Sequence, residues 1–125
     1  MAEERADDST IEDTEVLWRL AHPSNIHIKN GTPRPQSVLF IDRDTGEMSV
    51  VISSMTTLDD FKKGFPEHSV VAVTAKDVRG LGYRVCRDPI PGNPAHAVIV
   101  PKMSRSNARK LAAKATLIHS PNPPE

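Results

Sequence analysis

The sequence predicts an α+β fold: a small antiparallel or mixed sheet of four to six short strands with about three short helices. Three observations predict it. Hydrophobic residues make up 38% of 125 residues but aromatics only 4%, so the core must be built from Val, Ile, Leu and Ala. Several runs of four to seven residues alternate or are β-branched, which is the strand signature. Between them lie Pro, Gly and Asn, or a Ser or Thr placed to cap a helix.

Residues Thr14–Ala21, TEVLWRLA, form a first element, helix or strand, with the single Trp18 as its anchor. Pro23 ends it, because proline restricts the residue before it. Ile26 and Ile28 alternate with His27 and Lys29, which suggests a short edge strand. Asn30-Gly31, Pro33 and Pro35 then read as a loop. SVLFID and EMSVVIS, on either side of Arg43-Asp44-Thr45-Gly46, read as a β-hairpin. In MTTLDDFKKGF, Thr56 or Thr57 caps a helix whose acidic start and basic end suit its dipole. Leu58, Phe61 and Phe65 are expected to face inward. HSVVAVT is a buried strand, and Thr74 with Asp77 has capping-box spacing for the helix that follows, with Gly82 after its end. YRVCRD is a strand with Arg84 and Cys86 on one face and Val85 on the other. IPGNP is a stiff loop, AHAVIV a strand, RSNARKLAAKA a helix capped by Ser104, and TLI a last short strand.

The domain reading is an acidic disordered arm over 1–14, one α+β domain over 15–119 and a flexible tail over 120–125. The net charge of zero conceals an asymmetry. Residues 1–15 carry seven acids and one base, while 76–114 carry nine bases and two acids. A solvated basic surface accounts for this, and so does an anion-binding face that the arm shields in cis. One cysteine excludes an internal disulfide framework and a multi-cysteine zinc site. No apolar run approaches the roughly 20 residues of a membrane helix, and the acidic N-terminus has no signal-peptide pattern. The expected setting is the cytoplasm, with no membrane contact.

The densest candidate site is Arg87-Asp88-Pro89-Ile90-Pro91-Gly92-Asn93-Pro94-Ala95-His96. Its prolines stiffen the chain at little entropic cost. His96 is a candidate acid or base, with His22 a second imidazole and Asp88 or Asn93 an orienting group. Arg87 or Arg34 could clamp a phosphate or carboxylate. Arg105 and Arg109 stand one turn apart on the last helix and could lie along nucleic-acid phosphates. Each has a structural alternative: a loop brace, a half-buried histidine, a solvated helix. The five histidines lack ligand spacing, so no metal is expected, and no motif calls for a cofactor. Asp42–Glu47 is a turn rather than a calcium loop. Cys86, alternating within a strand, reads as a structural thiol.

LWRLAHP, the hairpin ending in GEMSVVI, and RDPIPGNPAHAVIV together resemble a family of small, uncharacterised bacterial proteins. That family has W-R-x-x-H-P and D-P-x-P-x-N-P-A-H-A elements and an L-S-V-like run, here Met48-Ser49-Val50. The resemblance covers most of residues 17–118. It implies one compact domain, draws attention to His22, Arg34, Ser37, Asp88, Asn93 and His96, and brings no activity with it. Three function classes are open: a binding or accessory domain with a protein or polyanion partner; an enzyme acting on a nucleotide or phosphate-containing substrate, conceivably ADP-ribosyltransferase-like though without an obvious late glutamate; and an immunity- or antitoxin-like inhibitor.

Overall fold

The computed structural model describes residues 6–41 and 46–119. Residues 1–5, the turn residues 42–45 and the predicted tail lie outside it. The fold is α+β, with eight strands and three α-helices among the described residues. They are β1 (Val16–Ala21), β2 (Ile26–Lys29), β3 (Thr32–Pro35), β4 (Met48–Ile52), α1 (Leu58–Lys62), β5 (Ser69–Thr74), α2 (Ala75–Gly80), β6 (Arg84–Arg87), β7 (His96–Val100), α3 (Arg105–Lys114) and β8 (Thr116–His119). Six strands form one sheet in the order β6-β7-β4-β1-β5-β8, and β2 pairs with β3 in a separate hairpin. Every pairing is antiparallel.

Period-2 alternation decides the two faces of the sheet. Leu17, Met48, Val50, Ile52, Val71, Val73, Val85, Ala97 and Ile99 join Leu39, Phe40, Met103, Ala108 and Leu111 in one core. The other face carries Trp18, Leu20, Val51, Ala72 and Val98. It is covered only in part by α1, a helix with no buried residue, whose Phe61 ring lies 6.0 Å from that of Trp18. Phe65, expected inside, is 47% exposed because the chain turns away after Lys62.

The cap readings agree with the structure. Thr57 accepts from the Asp60 amide, Thr74 from Asp77 and Ser104 from Asn107. Three expectations require correction. Ser37–Phe40 is a 3-10 turn, not the first strand of a hairpin; Leu39 and Phe40 enter the core, and β4 pairs with β1 and β7 instead. Thr32–Pro35 is a strand, not a loop. Asn30 and Gly31, both at positive φ (53° and 79°), make the two-residue turn that folds β3 onto β2. Residues 6–14, expected as part of a disordered arm, are seated on the domain. Ile11 is 1% exposed and belongs to the core, and the Asp8 amide donates to the Val85 carbonyl at 2.9 Å.

Candidate functional site

The proline-rich corner between β6 and β7 is held by its own hydrogen bonds. The Asn93 amide donates to the Ile90 carbonyl at 2.9 Å, closing a turn over Pro91-Gly92, and Gly92 sits at φ 78° as the third residue of a type II turn requires. The Asp88 amide donates to the His96 carbonyl at 2.9 Å. These bonds place the Asp88 and His96 side chains together. His96 Nδ1 lies 2.9 Å from the Asp88 carbonyl oxygen and 3.2 Å from Asp88 Oδ2. A carbonyl can only accept, so Nδ1 carries the proton. Neutral His96 therefore keeps Nε2 as a lone-pair nitrogen, and among the described residues Nε2 has no hydrogen-bond partner. The side chain is 14% exposed, so the ring is sheltered but reachable.

The space beside the ring comes from a parting of strands. β1 pairs with β5 over six residues but with β4 over only two, Leu17↔Ile52 and Trp18↔Val51. Beyond Trp18 the two strands separate and Arg19 bridges the gap. Its Nη1 donates to the Ser49 carbonyl at 2.6 Å and its Nε to the Leu39 carbonyl at 2.8 Å. The side chain thereby supplies donors that a continuing ladder would have supplied. The resulting cleft, about 210 Å³, is lined by Arg19, Leu20, Ser49, Val50, Val51, Phe61, Asn93 and His96. A second cavity of about 600 Å³ shares Leu20, Phe61 and Asn93 with it and continues past Met55, Phe65 and Pro94. Together they form a groove that runs from His96 past Phe61 to Phe65, with Thr56, Asp60 and Lys63 along its larger part.

Of the residues singled out from sequence, His96, Asp88 and Asn93 converge here. The others do not. His22 ends β1, where its Nδ1 meets the Ser24 hydroxyl at 2.8 Å and its ring packs edge-on against His68, centroids 5.4 Å apart. Arg34 stands opposite His27 in the β2–β3 hairpin, beside Ala115–Leu117 at the far side of the sheet. Ser37 opens the 3-10 turn. Arg105 and Arg109 are exposed on α3. Arg87 is turned to the N-terminal segment, with Nε 3.3 Å from Asp8 Oδ2 and 3.1 Å from the Thr10 hydroxyl. Cys86 is buried, its thiol donating to the Ala6 carbonyl at 3.1 Å.

Arg19 and Ser49 were missed as candidate site residues. The visible signal was a charged residue inside the otherwise apolar strand VLWRLA. Its use depended on the strand parting, which has no local signature. No cluster of three or more His, Cys, Asp or Glu residues suited to a metal ion occurs among the described residues. No helix among them is long and apolar enough to cross a membrane.

No family model, no curated protein and no solved structure matches this chain. The functional reading therefore rests on the cleft itself.

Proposed function

We propose that the chain is a small binding domain for a compound bearing a phosphate or carboxylate, and that His96 exchanges a proton with that compound. The observation that supports this is that Arg19, Asn93 and His96 line one cleft, with the imidazole Nδ1 committed to Asp88. Arg19 provides the positive charge and Asn93 a donor and acceptor for a neutral part of the ligand. His96 Nε2 is the ring nitrogen available to the ligand. When Nε2 accepts a proton from a ligand hydroxyl or from water, the Asp88 carboxylate stabilises the imidazolium formed. This is the general acid–base role an enzyme acting on a nucleotide or other phosphate-containing substrate would use, and the Phe61 and Phe65 side chains along the groove suit a base or another flat group. No carboxylate lines the smaller cleft, and Asp88 stands behind His96, so the ADP-ribosyltransferase-like version gains no support.

Amide chemical shifts of the labelled protein, titrated with inorganic phosphate, nucleoside mono- and diphosphates and simple carboxylates, test the proposal. The expected result is saturable shifts centred on Arg19, Ser49, Asn93 and His96, with affinity at least tenfold weaker in His96→Ala. Shifts confined to Arg105 and Arg109, or none, reject it.

A macromolecular partner is a second reading, in keeping with an accessory or inhibitor-like role. It is favoured by a different observation: the acidic N-terminal segment lies on the basic section of the chain.

A further inference from the structure

The edge of the six-stranded sheet at β6 is already occupied, and by the chain's own N-terminal segment. An edge strand presents unpaired amides and carbonyls that another extended chain can use. Here the Val85 amide donates to Asp7 Oδ1 at 2.9 Å, and the Val85 carbonyl accepts from the Asp8 amide at 2.9 Å. Two arginines read the charges of the same segment. Arg79 donates through Nε to Asp7 at 3.1 Å, through Nη1 to Asp13 at 2.8 Å and through Nη2 to the Asp8 carbonyl at 2.9 Å. Arg87 pairs with Asp8 on the other side. Ile11, between the two charged groups, enters the core.

We propose that this edge is a docking site for an extended polypeptide of pattern Asp-Asp-x-x-Ile-x-Asp on a partner protein, and that residues 7–13 occupy it in cis as a competing copy of that ligand. Two features favour a polypeptide over nucleic acid. The Val85 carbonyl accepts a backbone N–H, for which a phosphodiester chain has no counterpart, and the site takes an aliphatic side chain at a fixed distance from the carboxylates. The mode combines main-chain bonds at a sheet edge with side-chain selection, as in strand addition generally. The ion pairs of the segment are partly open to water, the Asp7, Asp8 and Asp13 side chains being 35%, 24% and 62% exposed, so salt weakens them. A partner's Ile must refill the core position that Ile11 leaves. A tethered segment competes at an effective concentration on the order of millimolar, so a partner must exceed that threshold or bind more tightly than the arm does.

The probe is a synthetic peptide of residues 1–15, MAEERADDSTIEDTE, added to the full-length protein. In the variant Asp7→Asn/Asp8→Asn/Asp13→Asn, which keeps Ile11, the peptide should bind at least tenfold more tightly than to the unsubstituted chain. Raising the salt should weaken it, and Arg79→Gln should remove it. In the unsubstituted chain, peptide at about millimolar concentration should displace the arm, read as shifts at the arm's own amides, Asp8 and Ile11. Equal affinity for both proteins overturns the proposal. So does failure to displace the arm of the unsubstituted chain at several times that concentration. A peptide carrying the same three Asn substitutions that binds as well as the parent also overturns it, as does displacement by a short DNA duplex but not by the peptide.

Discussion

At the scale of single residues, the pairing of His96 with Asp88 decides what the cleft can do. The imidazole is held by a carbonyl and a carboxylate at Nδ1. That arrangement selects one tautomer and one ring orientation, as a second group behind a catalytic or ligating histidine commonly does. Imidazole nitrogen chemical shifts near pH 8 should report the proton on Nδ1, and an Nε2-protonated ring would contradict the assignment. Arg79 is the other decisive side chain. Burial pulls its pKa down, but the hydrogen bonds it donates to Asp13 and Asp7 outweigh that and raise it, so it stays charged throughout the working range. Asp8 is held below the ordinary carboxylate range, first by the Thr10 hydroxyl and amide and then by Arg87 and Arg79. The convergence of His96, Asp88 and Asn93 on one corner was legible because proline, glycine and asparagine announce a rigid turn. Arg19 was not, because its role comes from two strands that stop pairing at Trp18.

At the scale of elements, local chemistry explains most of what forms. Thr57, Thr74 and Ser104 were all legible as helix starts, since a hydroxyl three residues before an unpaired amide is a purely local arrangement. Thr74→Ala should cost about 1 kcal/mol in chemical denaturation. A change within about 0.2 kcal/mol would mean that the Asp77 amide has another partner. The strands of β5, β6 and β7 were legible for a similar reason, because their aliphatic runs are short and bounded by turn residues. The misread segment, Ser37–Ile41, shows where local reading ends. Its apolar content fits a strand, yet Leu39 and Phe40 bury their side chains from a 3-10 turn, and the Leu39 carbonyl is taken by Arg19 rather than by a neighbouring strand. The second misreading, Thr32–Pro35, has prolines at positions 33 and 35 that normally argue against a strand. They are tolerated because the strand belongs to a two-stranded hairpin and needs few donors.

At the scale of the whole molecule, the N-terminal segment acts as a clasp that joins the start of the chain to α2 and β6, about seventy residues later. Ile11 supplies its apolar hold, and Ile11→Ala should destabilise the protein by about 2–5 kcal/mol, measured as the shift in the denaturation midpoint at constant slope. Asp8 supplies a pH dependence whose sign follows from its lowered pKa. Its contribution is full above the ordinary aspartate value of about 4 and disappears as pH falls through its lower folded-state value. Thermal midpoints should therefore drop below pH 4, and by less in Asp8→Asn; an identical acid limb would show that the clasp carries none of it. By itself the sequence determined the α+β class, the caps, the stiff corner and the opposition of acidic and basic sections, because each depends on neighbouring residues or on summed charge. Only the tertiary structure decided the strand order, the gap that Arg19 spans and the seating of the acidic segment on the β6 edge. Those features depend on contacts between residues far apart in the chain, whose energies no local pattern records.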